Sequence, residues 1–418
     1  MLKNPIRLGN FQNGLTSLGK LEQNKWVTMD NVDIHTEVGI ATCNLDLSVE
    51  SSTPNEPCYS AIVPDGTVYF ASKSTGKLWR RTVVGTYTLI HTNVNGAHRG
   101  IRYFNGNLWF WTATRLGYFD LSVTYNDSFA TGTNFRQGIE ANNSLLIANG
   151  RFTARLDSGN VFSANEFVVP AMFEQTILQN IGDDVLIGTI VSTEVAYCKF
   201  FLWNTVSSSW SYEDEVFEIG ANTFVQIDNL YIAQCGTEGR FYYWTGSRMA
   251  YFRKIRGITT SLNWQNYTNL GNRPLYLNGS KVYSFHKEDN ALPAAVVAEY
   301  TLPVIGASVI VQAQTLLIST STAVYTQDTN YATAVIESPE VQTQISDIRV
   351  KYDAYPEGIG IETSINGASY VTQTPVVDDL RREVYFNGGV VDGYTTQVRI
   401  TLTPSGSNVP KIKEITLQ

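Results

Sequence analysis

The sequence predicts an all-β protein whose larger part is a β-propeller, followed by a small β-sandwich at the C-terminal end. Two observations carry this prediction. First, a short strand pattern recurs about every forty residues along most of the chain. Second, 43% of the 418 residues are hydrophobic, and Tyr and Phe, which favour pleated and half-buried surfaces, number 23 and 19. Gly and Asn interrupt almost every segment, which disfavours long helices.

Each copy of the repeat has a turn with Asn, Asp or Gly, an apolar strand, a polar break, and a second strand that carries an aromatic residue. The apolar strands begin at Val68, Leu108, Leu145, Val185, Leu230, Leu275 and Leu316. A four-stranded propeller blade takes about 40–45 residues, which fits this spacing. Blades packed around an axis cover both apolar faces of each sheet. The pattern predicts about seven blades, with six as the alternative because the copy at Leu275 is the weakest.

Three parts of the chain are predicted from where the repeat starts and stops. Residues 1–55 lack it and are predicted to be an extended arm, which could close the ring by adding a strand to the last blade. Residues 56–337 form the propeller. Residues 338–418 contain six predicted strands and one tight Asn366–Gly367 turn, which together indicate a compact sandwich.

Charge and cysteine content exclude several classes of protein. The net charge of −8 argues against a general polyanion binder. The four cysteines form no C-x-x-C pair and have no histidine at metal-ligand spacing, so they are predicted to be reduced and buried, with a Cys43–Cys58 disulfide as the alternative. No signal peptide and no run of about 18 apolar residues is visible, so the chain is predicted to be made and kept in a cytoplasm, or assembled there into something larger.

A basic and aromatic segment is the one candidate contact site that we single out. It contains Arg248, Arg253, Lys254 and Arg256, interleaved with Tyr251 and Phe252. Cations neutralise phosphates and aromatic rings stack on bases, so the segment could touch nucleic acid. It could equally meet an acidic patch on a neighbouring subunit, or be an exposed strand whose charges are solvated.

No catalytic, cofactor-binding or metal-binding residue is predicted, and the protein is predicted not to be an enzyme. The hairpin Ser364–Tyr370 resembles the Asp box of sialidase-like propellers, but it occurs once and has Asn in place of Asp. Adjacent carboxylates are expected to be solvated rather than held in a cleft. They occur at Asp183–Asp184, Glu213–Glu215 and Asp378–Asp379. The histidines are scattered along the chain, at His35, His91, His98 and His286.

Aromatic and amide-rich loops are a further alternative site. Residues 203–210 and 264–267 contain tryptophans and a tyrosine that could bind sugar by stacking. They could equally be interface anchors, a role that Trp and Tyr often fill.

Short stretches at both ends resemble propeller-containing structural proteins of tailed bacteriophages, closest in architecture to the tail nozzle of short-tailed phages. The N-terminal stretches are GNFQNGL at 9–15, DNVDI at 30–34 and VGI at 38–40. The C-terminal ones are IRVKY at 348–352, IETSINGASY at 361–370, QVRITL at 397–402 and IKEITL at 412–417. The resemblance implies a virion protein that forms a ring of six copies below the portal and adaptor, with DNA passing through the centre without specific binding. It brings no catalytic or ligand residue with it.

The first functional hypothesis is therefore a structural protein of a phage tail, assembled in the host cytoplasm. A carbohydrate-binding or glycan-processing propeller is the second hypothesis, from a different functional class. A cellular scaffold propeller is the third, and it ranks last because the sequence lacks Trp-Asp dipeptides and a repeated Gly-Gly pair.

Overall fold

A computed structural model describes residues 6–8, 11, 26–37, 39–191, 197–255, 257–259, 265–286, 295–341, 345, 347–387 and 395–418. Contacts divide the chain into two compact units. We call Val49–Ser280 with Val304–Thr326 the ring unit. We call Met1–Ser48, Lys281–Pro303 and Gln327–Gln418 together the sheet unit.

The described residues form strands, apart from turns, loops and one short 3-10 helix at Pro356–Gly358. The strands, in chain order, are β1 Ile6–Leu8, β2 Thr28–Asp30, β3 Val32–Asp33, β4 Ala41–Cys43, β5 Leu45–Val49, β6 Cys58–Ile62, β7 Val68–Ser72, β8 Lys77–Arg81, β9 Tyr87–Thr92, β10 Gly100–Phe104, β11 Asn107–Trp111, β12 Arg115–Phe119, β13 Tyr125–Thr131, β14 Phe135–Ala141, β15 Ser144–Asn149, β16 Phe152–Asp157, β17 Phe162–Val168, β18 Phe173–Ile181, β19 Asp184–Val191, β20 Cys198–Trp203, β21 Tyr212–Val216, β22 Ala221–Ile227, β23 Leu230–Cys235, β24 Arg240–Trp244, β25 Met249–Lys254, β26 Tyr267–Leu270, β27 Arg273–Asn278, β28 Lys281–His286, β29 Ala295–Thr301, β30 Gly306–Gln312, β31 Thr315–Thr320, β32 Val324–Tyr331, β33 Ala334–Glu337, β34 Asp347–Ala354, β35 Ile359–Ile365, β36 Val371–Thr372, β37 Val376–Asp378, β38 Glu383–Asn387, β39 Thr396–Leu402 and β40 Lys411–Leu417.

The ring unit is a β-propeller, which confirms the predicted fold class. Five antiparallel sheets follow one another in chain order, namely β6 to β9, β10 to β13, β14 to β17, β18 to β21 and β22 to β25. Strands β26 and β27 pair next, and β30, β31, β32 and β5 form a further four-stranded sheet. The first strand of each sheet contacts the next sheet, and β30 contacts β6, so the ring is closed.

The propeller has six four-stranded blades, the lower of the two numbers that the repeats allow. The weak repeat at Leu275 explains the difference, because it places only β26 and β27 in the ring unit while β28 and β29 belong to the sheet unit. The blade that begins at β30 takes its fourth strand, β5, from the N-terminal region. Beside that strand, the Glu50 amide donates to the Val324 carbonyl at 3.0 Å.

Burial in the blades follows the pattern that the repeat predicts. Every residue of β7 and β15 is buried, and so are four of the five residues of β11, as expected for central strands covered on both faces. The fourth strands β9 and β13 are largely accessible. Tight turns join first to second strands, and Asn105–Gly106 adopts the positive φ of 47° and 80° that such hairpins require.

The sheet unit contains two sheets assembled from distant parts of the chain. One has the order β3-β4-β40-β34-β38-β37, with β1 also paired to β40. The other contains β28, β29, β2, β33, β39, β35 and β36 in that order. The strands of residues 338–418 are thus mixed with strands from 6–43 and 281–301, and the sandwich, like the predicted division at residues 55 and 337, stays a prediction. The Asn366–Gly367 turn is present, with φ of 51° and 72°.

All four cysteines are free and buried, as predicted, and Cys43 and Cys58 form no disulfide. Burial raises the pKa of the Cys43 thiol to about 12. The Cys43 thiol is therefore protonated near neutral pH and contributes to packing rather than to reactivity.

Candidate functional site

The first candidate site is a set of turns that join the third and fourth strands of four consecutive blades. Each turn presents a valine to solvent, and we call them the valine turns. The exposed fractions are 88% for Val84, 83% for Val123, 66% for Val161 and 90% for Val206. Because blades repeat around an axis, equivalent turns of these blades lie on the same face of the ring. Single exposed apolar residues are normal, but a repeated one at equivalent positions is typical of a contact surface.

Side chains at the start of three valine turns fix their backbone. The Asp120 carboxylate accepts hydrogen bonds from the amides of Ser122, Val123 and Thr124 at 2.9–3.0 Å. Equivalent bonds run from Gly159 and Val161 to Asp157, and from Val206 and Ser207 to Asn204. Such Asx turns hold a loop in one conformation without help from the core.

Hydrogen bonds between blades also link these turns to their neighbours. Asn105 donates to the Ser158 carbonyl at 2.7 Å. Asn142 donates both to the Asp183 carbonyl at 2.8 Å and to the Thr205 hydroxyl at 2.7 Å. The valines are thus carried on ordered turns, and a partner that binds them pays little ordering entropy.

A pH titration tests the Asx turn of the second blade. Hydrogen bonds from the Thr124 and Ser122 amides lower the pKa of Asp120 well below its usual value. The stabilisation of the folded state by the ionised Asp120 is complete above the unfolded-state pKa of about 3.9. It is lost as the pH falls through the lower folded-state pKa. We expect an NMR titration to find Asp120 ionised at pH 3, where an aspartate with the usual pKa of about 3.9 is largely protonated. A normal pKa for Asp120 would contradict the turn geometry.

The second candidate site is a cavity of about 370 Å³ on the axis of the ring. Its walls come from β6, β10, β14, β26 and β30, which are the first strands at five consecutive ring positions. Apolar wall residues include Ile62, Ile101 and Val309. Its polar or charged lining residues include Ser60, Arg102 and Glu140. Cavities of this volume are usual for small-molecule sites.

Gln265 closes one end of this cavity by bridging two blades. Its side-chain oxygen accepts from the Ser60 amide at 2.6 Å, and its side-chain nitrogen donates to the Ile101 carbonyl at 3.0 Å. Its own carbonyl accepts from the Val309 amide at 3.1 Å. Gln265 lies just before the start of β26, whereas Ile62, Tyr103 and Thr268 lie further along their strands. Gln265 therefore forms the floor of the cavity, which we call the axial cup.

Two charged side chains face the axial cup. Arg102 extends from β10 and Glu140 from β14, and both are accessible from the cavity. Burial lowers the pKa of the Arg102 guanidinium, and the charge of Glu140 partly opposes that shift. Arg102 lies between the apolar Ile101 and the aromatic Tyr103, so a charged residue inside an otherwise apolar first strand was the sequence signal for this site.

The predicted basic segment does not form one patch in the structure. Arg248 is exposed at the start of β25, and Lys254 lies at the other end of that strand, where it pairs with Glu238 at 2.8 Å. Arg253 is buried and lies 5.7 Å from the Phe252 ring centroid. Arg256 lies outside the described residues. A role of these four residues in subunit or nucleic-acid contact stays a prediction.

The other candidate residues that the structure describes pack against, or pair with, neighbouring side chains. Trp203 is buried, and Trp210 packs edge-on to Phe201 with ring centroids 5.1 Å apart, so these two rings pack towards the core although Val206 between them is exposed. Trp264 and the His286 side chain lie outside the described residues. His91 has a carboxylate partner that no sequence pattern indicates, since its Nε2 lies 2.8 Å from Asp127 Oδ1. That pair joins β9 of one blade to β13 of the next, a proximity that the packing of neighbouring blades creates.

Comparison with solved structures finds the same kind of ring. The chain superposes on virginiamycin B lyase from Staphylococcus aureus, crystallised with quinupristin, with a TM-score of 0.53, 10% identity, and coverage of 68% of this chain and 98% of the other. The extracellular domain of a hybrid two-component system of B. thetaiotaomicron gives a TM-score of 0.51, 10% identity, and coverage of 81% and 50%. A chain of the mitotic checkpoint complex gives 0.50, 11% identity, and coverage of 67% and 93%.

The fold and these likenesses define the class of the protein as a β-propeller protein. Comparisons with known protein families and with curated protein sequences find no match. At 10–11% identity, the structural likenesses establish the fold and carry no function with them. Within the described ranges, no helix is long and apolar enough to cross a membrane.

Proposed function

We propose that this chain is a structural subunit of a bacteriophage tail, of the nozzle type. In this role, copies of the chain form a ring, with six copies as the number that the family resemblance implies. The ring joins the portal or adaptor above it, and DNA passes through the ring of copies. The protein is assembled in the host cytoplasm and resides in the virion.

The valine turns are the observation that carries this proposal. A subunit that assembles needs apolar anchors that are already ordered before the partner arrives, because ordering them later costs affinity. Val123, Val161 and Val206 meet that need, since Asx turns hold their turns. Val84 is exposed at the equivalent place, in a turn where the Thr86 amide donates to the Thr82 hydroxyl. The sequence resemblance at both chain ends supports a phage tail as the assembly in which the valine turns make their contact.

The alternatives use the same fold. A carbohydrate-binding or glycan-processing propeller would use the axial cup, and a cellular scaffold would use its loops. The solved structures of similar fold include a lyase, an extracellular domain and a part of a checkpoint complex. The fold is therefore compatible with all three roles, and an experiment on assembly has to separate them.

Substitution of the valine turns tests the proposal. We expect a variant with aspartate at Val84, Val123, Val161 and Val206 to be incorporated into particles at least tenfold less than wild type, since each carboxylate would need desolvation in the contact. The matched control places aspartate at four valines elsewhere that are also exposed, Val94, Val371, Val376 and Val377. It should incorporate within twofold of wild type.

Electron microscopy and copy counting of purified particles provide the measurement. Circular dichroism of both variants establishes that they fold. Equal incorporation of the two variants would contradict a contact through the valine turns. A chain found only as a free monomer, with no particle in any fraction, would contradict the tail role itself.

A further inference from the structure

The axial cup contains charge without an internal partner. Among the described residues, neither Arg102 nor Glu140 makes a hydrogen bond or an ion pair within 4.0 Å, although both face the same cavity. Two other arginines of the ring unit are paired, Arg81 with Glu50 and Arg136 with Glu174. Both side chains are exposed, so they are available to a ligand that enters the cup.

We propose that the axial cup is a binding site for a small organic carboxylate that also carries a hydrogen-bond donor. The Arg102 guanidinium binds the carboxylate, because its planar fork matches two carboxylate oxygens. The Glu140 carboxylate accepts from the donor, which is an ammonium or hydroxyl group of the same molecule. The cavity of about 370 Å³ limits the ligand to a small molecule.

The residues that form the floor and walls of the axial cup leave Arg102 and Glu140 to bind the polar groups of the ligand. The amide of Gln265 is committed to Ser60 and Ile101, so it closes the cup rather than contacting the ligand. Tyr267 donates its hydroxyl to the Gln226 carbonyl and lines the wall with its ring. The polar recognition therefore falls to Arg102 and Glu140, while Ile62 and Ile310, which keep accessible surface, contact the apolar part of the ligand.

This site is independent of the proposed tail role, since the valine turns and the axial cup share no residue. A propeller that assembles through its turns can still hold a small molecule on its axis. Failure of the cup experiment leaves the assembly experiment unaffected, and the reverse also holds.

Calorimetric titration of the full chain with three probes tests the proposal. Glucuronate and glutamate both carry a carboxylate, with hydroxyl and ammonium donors respectively, and glucose is the uncharged control. We expect at least one of the acids to bind with a dissociation constant below about 1 mM and more tightly than glucose. A preference for glutamate would identify ammonium as the donor that Glu140 accepts, and a preference for glucuronate would identify hydroxyl.

Two matched variants make the result specific. Arg102→Gln should weaken binding of the acid at least tenfold, whereas Arg80→Gln, at an exposed arginine on β8 outside the cup, should change it less than twofold. Thermal unfolding of each variant establishes that the ring still forms. Binding of neither acid at 10 mM, glucose binding as tightly as the acids, or an unchanged affinity in Arg102→Gln would each overturn the proposal.

Discussion

Replacing Trp111 by alanine is expected to lower the free energy of unfolding of the ring unit by about 4 kcal/mol. The indole is only 1% exposed and lies between two blades. A Cβ at Gly100 of the same blade would meet its ring at 2.2 Å, and one at Gly138 of the next blade would meet it at 2.6 Å. The two glycines leave the space that the ring fills, so its removal opens a cavity between blades.

A second contribution to this loss comes from a hydrogen bond. Trp111 Nε1 donates to the Arg136 carbonyl at 2.6 Å, and alanine would leave that carbonyl without its donor. Urea denaturation followed by circular dichroism measures the change. The control is Phe217→Ala, which truncates an aromatic residue that is 79% exposed and should cost less than about 0.5 kcal/mol. A loss below about 1.5 kcal/mol for Trp111→Ala would contradict its role between the blades.

Replacing Glu56 by alanine is expected to cost about 3 kcal/mol, because several donors surround its buried carboxylate. The hydroxyl of Ser72 donates to it at 2.6 Å, the Thr75 hydroxyl also donates to it, and the Trp79 indole does so at 3.3 Å. These bonds fasten the segment before β6 to the turn between β7 and β8. Without the carboxylate, the donors would be left unpaired in the protein.

The pH dependence of this effect follows from the pKa of Glu56. Burial alone would raise that pKa, but the hydrogen bonds from Ser72, Thr75 and Trp79, together with the charge of Lys77, lower it below the usual value. The ionised form thus stabilises the fold fully above the unfolded-state pKa of about 4.3, and this stabilisation is lost as the pH falls through the lower folded-state pKa.

A conservative variant separates the effect of the Glu56 charge from the effect of removing the side chain. Glu56→Gln keeps one acceptor oxygen in place but carries no charge, so we expect its deficit in unfolding free energy to be largest at pH 6–7 and to shrink below about pH 4. Denaturation curves of wild type and Glu56→Gln across this range provide the comparison. A deficit that is constant with pH would show that the ionised carboxylate is not what stabilises the turn.

The propeller could be predicted because each blade carries its own local signal. The apolar runs of β7, β11 and β15, each with its turn, are readable without knowing their partners. The sixth repeat, at Leu275, was harder to interpret, since the strands after Leu275 look like blade strands although β28 and β29 join another unit. The strand pairing of this segment depends on parts of the chain that are hundreds of residues away, and no local sequence pattern encodes it.

The candidate sites were less predictable for the same reason. The exposed valines are ordinary in sequence, and only the ring places equivalent turns on one face. The floor of the axial cup depends on Gln265 meeting Ser60 and Ile101, from which it is separated by more than 160 positions along the chain. The basic segment had a clear sequence signal, but the alternation of β25 and its length distribute Arg248, Arg253 and Lys254 to different surroundings.

The pairing of β1 with β40 has a consequence for the order in which the chain folds. Ile6 lies opposite Leu417, so during synthesis β1 has no partner until β40 has left the ribosome. The blades from β6 to β25 pair only with near neighbours and can form as they are made. Closing such distant contacts is slow, and the sheet unit is therefore the part of the nascent chain that waits longest with unpaired strand edges.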